Sequence, residues 1–138
     1  EGKKLEGMYY IVDSGKSFEQ ACTCLESAMI DNGLSHDFSA LHVHDLGKTL
    51  RAKGMTFTPQ CKIFEVCHPL HAANILTGDM RVNMLLPFRI SVYTDQGKTH
   101  IGLIKPAPML AALSDSPSLL QIFEQAQASI IEMIDEAK

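Results

Sequence analysis

Apolar residues recur along this chain with two periods, and the alternation between them predicts the order of elements. Met8 to Val12 is a short apolar run containing Tyr9 and Tyr10, a first strand. Phe18, Ala21, Cys22, Leu25, Ala28 and Met29 follow at helical spacing. Ser17 with Gln20 forms a capping box at the start of that helix, and Asn32-Gly33 stops it. Phe38 to Asp45 reads as a second strand, with Leu41 and Val43 on one face and Ala40, His42 and His44 on the other. Asp45 then caps a short helix, Leu46 to Lys53, closed by Gly54. Cys61 to Cys67 is a third strand. Pro69 opens a helix with Leu70, Ala73, Ile75 and Leu76 on its apolar side, ended by Gly78.

The sharpest alternation runs from Phe88 to Thr94. Phe88, Ile90, Val92 and Thr94 share one face; Arg89, Ser91, Tyr93 and Asp95 share the other. Asp95-Gln96-Gly97-Lys98 is a turn, and Thr99 to Ile104 returns. Pairing Thr94 with Thr99 sets Val92 against Ile101 and Ile90 against Leu103 on the core side. It sets Tyr93 against His100 and Ser91 against Gly102 on the second face. Gly102 leaves a gap there, where a ligand or another backbone can come close. Pro106 and Pro108 break the sheet. Ser116-Pro117 starts a last helix, 117–137, whose wide apolar stripe packs across the sheet or serves a homodimer contact. The expected fold is α+β, one domain over 1–138, with an antiparallel or mixed sheet of about five strands and helices mainly on one face.

Composition narrows the function classes. The net charge of −4 argues against nucleic acid as a partner, since phosphate backbones need a basic surface. No apolar run approaches the roughly 18 residues of a membrane span. The cytoplasm is the expected compartment. The periplasm is the alternative, because a chain that begins at Glu1 fits removal of upstream residues. The four cysteines, Cys22, Cys24, Cys61 and Cys67, are too few for a disulfide scaffold, and free thiols are expected.

Two apparent phosphate-loop endings, Gly47-Lys48-Thr49 and Gly97-Lys98-Thr99, lack the glycine five residues upstream; His42 and Val92 stand there. Neither is read as a nucleotide site. Two other groups carry chemistry. Cys67-His68-Pro69 with His71 lies where a strand gives way to a helix, and the positive helix end favours a thiolate. His68 and His71 are one turn apart, so nitrogen and sulfur ligands for zinc, copper or haem iron are at hand. In His42-Val43-His44-Asp45 both imidazoles share a strand face. A third ligand must come from elsewhere: His68, His71, His100 or a dimer mate. Met80 and Met84 are candidates to line an apolar pocket or supply a soft axial ligand. Core cysteine and surface histidines are the plain alternative for both groups. No nucleophile elbow or carboxylate pair points to an enzyme.

His44-Asp45-Leu46-Gly47, Lys53-Gly54, Phe64-Glu65-Val66-Cys67-x-Pro69, Asp79-Met80, Leu86-Pro87 and Arg89-Ile90-Ser91-Val92-Tyr93 as a set resemble the Domain of Unknown Function 302 family, over about residues 9–106. The resemblance implies a small α+β domain, often dimeric, and brings no catalytic mechanism. Two positions depart from the family pattern. His68 replaces a small polar residue, often Asn, between the Cys and the Pro. Phe88 stands where a Cys often follows Leu-Pro, which weakens a dithiol redox reading.

The leading expectation is a non-enzymatic, homodimeric domain that binds a small ligand or cofactor, with haem or a transition metal as the most specific candidate. Its expected binding residues are His44, His42, Cys67, His68, His71, Tyr93 and His100, with His44, His68 and His71 as metal ligands. A thiol-dependent enzyme or sulfur carrier using Cys67, and an interaction module without a ligand, are the alternatives.

Overall fold

The computed structural model describes residues 7–30 and 38–138. The order is β1 (Tyr9–Ser14), α1 (Phe18–Met29), β2 (Ser39–Asp45), α2 (Leu46–Ala52), β3 (Cys61–Cys67), α3 (Pro69–Gly78), a 3-10 helix (Met80–Leu85), β4 (Phe88–Asp95), β5 (Lys98–Ile104), α4 (Pro106–Leu110) and α5 (Pro117–Ala137). The strands form one antiparallel sheet in the order β1-β5-β4-β3-β2.

Local chemistry sets the element ends. The Gln20 amide donates to Ser17 Oγ at 3.2 Å and the Ser17 amide to Gln20 Oε1 at 3.1 Å, closing the capping box of α1. The Asn32-Gly33 stop lies outside the described residues. Asp45 caps α2 through the Lys48 amide at 2.9 Å. The β4–β5 hairpin turns on Gln96 at φ 52° and Gly97 at φ 80°. Two successive positive φ values give the turn whose twist suits paired strands, and a glycine carries the second at little cost. The register is the one the alternation dictates: Thr94 opposite Thr99, Val92 opposite Ile101, Tyr93 opposite His100 and Ser91 opposite Gly102.

One face of the sheet is covered. Phe64, Val66, Phe88, Ile90, Val92, Ile101 and Leu103 point inward and are buried beneath α1 and α5. On α5 the stripe of Leu119, Phe123, Ala126, Ile130, Met133, Ile134 and Ala137 is wholly buried, with Ile122 and Ile131 packed at its margins. The Phe88 and Phe123 rings meet edge to face at 5.6 Å. The stripe is wide because α5 contacts α1, α3, α4 and β1. Each large side chain so buried contributes on the order of 1.5–3 kcal/mol.

Three local expectations differ. Pro106 begins α4 rather than only ending the sheet; a missing amide is harmless at the first helical position. Met80 to Leu85 is a 3-10 helix rather than a plain loop. A bulge between Ala40 and His42 breaks the alternation in β2. Ala40 therefore stands opposite core-facing Val66, while His42 and His44 stand opposite Glu65 and Ile63.

Candidate functional site

Among the described residues, no helix lies across the other face of the sheet. Its side chains form three rows across the strands. Asp13, His100, Tyr93 and Cys61 make the first; Ile11, Gly102, Ser91, Ile63 and His44 the second. The third contains Tyr9 opposite Ile104 and, on the far strands, Arg89, Glu65 and His42.

A groove of about 640 Å³ opens on this face. Ile63, Ser91, Gly102 and Ile104 contribute from β3, β4 and β5, and Glu65 and Arg89 add charge. Met84, Leu86 and Pro87 border it before β4 begins, and Pro106 and Met109 border it from α4. The lining is thus mostly apolar, with thioethers from Met84 and Met109 and one cation. Arg89 is exposed and makes no ion pair among the described residues. Its strand neighbour Glu65 is half-buried and lies 3.2 Å from His44 Nε2. A groove of this build suits an apolar molecule with an anionic end, because a guanidinium binds a carboxylate through two parallel N–H donors.

The seven residues singled out from sequence fall into three places, none lining the groove. His42 and His44 stand together on β2, ring centroids 4.3 Å apart. His68 and His71 stand at the start of α3, 4.0 Å apart, with Phe38 edge-on to His68 at 5.4 Å. His44 is opposite Ile63, and His68 follows Cys67. At roughly 3.3 Å per residue, three residues of strand separate His68 from His42, opposite Glu65, and five separate it from His44, so the two pairs stand about 10–16 Å apart along the sheet. Among the described residues no three His, Cys, Asp or Glu side chains gather as a metal ion requires.

His68 has a role that sequence reading missed. Its Nδ1 accepts the His71 amide at 3.3 Å, so the imidazole caps α3 and Nε2 is the nitrogen left over. The His71 imidazole is held below its ordinary range by burial and by the neighbouring His68. Cys67 is a half-buried free thiol, and burial pushes it up. That direction opposes the thiolate expected from the helix end. Burial also raises Cys61, against a lowering hydrogen bond from Ser91. All four cysteines are free.

His100 and Tyr93 belong to the first row. His100 Nδ1 is 2.9 Å from Asp13 Oδ1, and the imidazole stacks on Tyr93 with centroids 5.2 Å apart. The Tyr93 phenol is pushed up by burial, then by Asp95, Asp13 and Cys61. The gap at Gly102 is filled by β1: a Cβ there would meet Ile11 Cγ1 at 2.8 Å and the Tyr10 carbonyl oxygen at 2.9 Å. Of the two uses of such a gap, close approach of another backbone is the one observed. Arg89 and Ser91 were placed on this face by alternation. Their convergence with Met84 and Met109 depends on α4 and the 3-10 helix, which no sequence signal announced.

Comparison with known proteins agrees with this architecture. The DUF302 family, described as a domain of unknown function, matches residues 10–137. The crystal structure of an uncharacterized conserved DUF302 protein from Bacillus stearothermophilus is similar, with a TM-score of 0.86 and 27% identity, over 95% of this chain and 98% of that one. No curated protein matches the chain.

Proposed function

We propose that this chain, which belongs to the DUF302 family, is a non-enzymatic domain that binds a small amphiphilic ligand in the open-face groove. The observation that carries the reading is the Arg89 guanidinium, without an ion pair among the described residues, within an apolar, Met-bordered groove of about 640 Å³. Apolar walls supply affinity, and Arg89 fixes orientation, its neighbour Glu65 being engaged by His44. Haem is the most specific candidate. Its ring offers an apolar plane, its propionates match Arg89, and the thioethers of Met84 and Met109 are soft enough for its iron. A bare metal ion has less support, because the histidines lie in separate places.

The same face favours a homodimer. Tyr9, Ile11, Met84, Ile104 and Met109 are exposed on or beside the groove, Ile11 at 46% and Ile104 at 59%. The buried stripe of α5 is used up inside the subunit. A second copy laid over the open sheet would cover these side chains and close the groove.

The test is an absorption titration of tag-free protein with haemin. A saturable Soret shift near one haemin per subunit supports the reading. Only the gradual, unsaturated change of haemin on a nonspecific surface contradicts it.

A further inference from the structure

A second hollow, of about 840 Å³, lies where β1 passes into α1 and the β4–β5 hairpin turns. We propose that it is a binding site for a phosphate group, carried free or as a phosphomonoester.

The charge is arranged for an anion. The chain is acidic overall, at −4, yet Lys16, Arg51 and Lys98 line this hollow and no carboxylate does. Among the described residues, each cation has donors to spare. Lys16 Nζ donates one hydrogen bond, to the Ala137 carbonyl at 2.9 Å, out of its three donors. Arg51 uses Nη1 for the Phe57 and Pro59 carbonyls at 3.1 and 3.4 Å, leaving Nε and Nη2. Lys98 is exposed and forms no ion pair among the described residues. Phe18, the first residue of the 12-residue helix α1, also lines the hollow, so the positive end of that helix faces it.

A buried hydroxyl independently calls for a partner. Ser14, Thr99 and Thr94 stand in register on the helix-covered side of β1, β5 and β4. Ser14 Oγ donates to the Lys138 carbonyl at 3.0 Å, and Thr94 Oγ1 accepts the Gln60 amide at 2.9 Å. Thr99 lines the hollow, is only 5% exposed, and is the buried polar side chain of the described residues. Its hydroxyl makes no hydrogen bond among them. Buried polar groups without partners are rare and costly, so a ligand oxygen reaching Thr99 resolves the deficit. Three cations, a helix start and hydroxyl donors match a dianion with several acceptor oxygens better than a single carboxylate. The Gly97-Lys98-Thr99 ending thus returns as part of a hairpin, which is no nucleotide loop.

The test is amide chemical-shift titration at low salt with inorganic phosphate and with phenyl phosphate. Variants are Thr99→Val, Lys98→Gln and, as a charge control at the other end of β5, Lys105→Gln. Saturable shifts centred on 16–19 and 97–99, weakened about fivefold or more by Lys98→Gln and by Thr99→Val but less than about twofold by Lys105→Gln, are expected. Tighter binding of phenyl phosphate assigns the site to an ester, and tighter inorganic phosphate to the free ion. No saturable binding, or equal weakening by all three variants, overturns the proposal. Lys98 is exposed, so its variant keeps the test decisive if Thr99→Val does not fold.

Discussion

Ile11 lies across the place where Gly102 would carry a side chain: a Cβ on residue 102 would sit 2.8 Å from Ile11 Cγ1 and 2.9 Å from the Tyr10 carbonyl oxygen. The second contact is with backbone, which cannot rotate away. Gly102→Ala is therefore expected to lower stability by about 1–3 kcal/mol in denaturant unfolding. Adding Ile11→Ala should recover only part of the loss, because the carbonyl remains. At Gly78 the nearest atom, 2.9 Å away, is Leu119 Cδ2, the tip of a flexible side chain. Gly78→Ala should cost less than Gly102→Ala in the same assay.

Phe123 is fully buried and meets the Phe88 ring edge-on between α5 and β4. Phe123→Ala should cost about 3–5 kcal/mol, combining lost transfer energy with the cavity left behind. Equilibrium unfolding checks this, and a loss under about 1 kcal/mol would place α5 outside the core.

The thiols should differ from a reactive cysteine in a predictable direction. Burial pushes Cys22 up to about 11. Only about one thiol in a thousand is then ionised at pH 8, and thiolate is the reactive form. Burial raises Cys67 as well. Peptide mapping of iodoacetamide-treated native protein should find Cys22 protected and Cys67 slower than a free model thiol. A faster Cys67 would revive the thiol-dependent enzyme as a reading.

Acid should weaken the fold through His71. Burial and His68 hold its folded-state imidazole below the ordinary value. The unfolded chain then takes up its proton first as pH falls through about 6.5. The contribution is complete above that value and is lost on descent through the lower, folded one. Unfolding between pH 7 and pH 5 should show wild type losing more stability than His71→Gln.

Much of the fold was legible because its rules are local. Alternation from Phe88 to Thr94 fixed both faces of β4 and the hairpin register, and Ser17, Asp45 and Ser116 each cap the helix they precede. What escaped depends on neighbours. The bulge at Ala40 and His42 arises from pairing with β3, and no composition of β2 alone reveals it. Pro106 is read as a sheet breaker in isolation, yet it is the first residue of α4. The histidine pairs were legible as pairs, but the strand separation that keeps His44 from His68 needed the register. The groove joins Met84, which the sequence offered with Met80 as a pocket-lining candidate, to Arg89 and Met109 from two other segments that nothing in the sequence linked to it.

If Arg89 holds the anionic end of a ligand in the open-face groove, as proposed, its removal must weaken haemin binding, and the comparison is the haemin affinity of Arg89→Ala against wild type. Arg89 is exposed and its loss leaves the core intact. Affinity is expected to be about tenfold weaker in the variant, the worth of a charge-assisted contact, with unfolding unchanged. Equal affinity in the two proteins would contradict it.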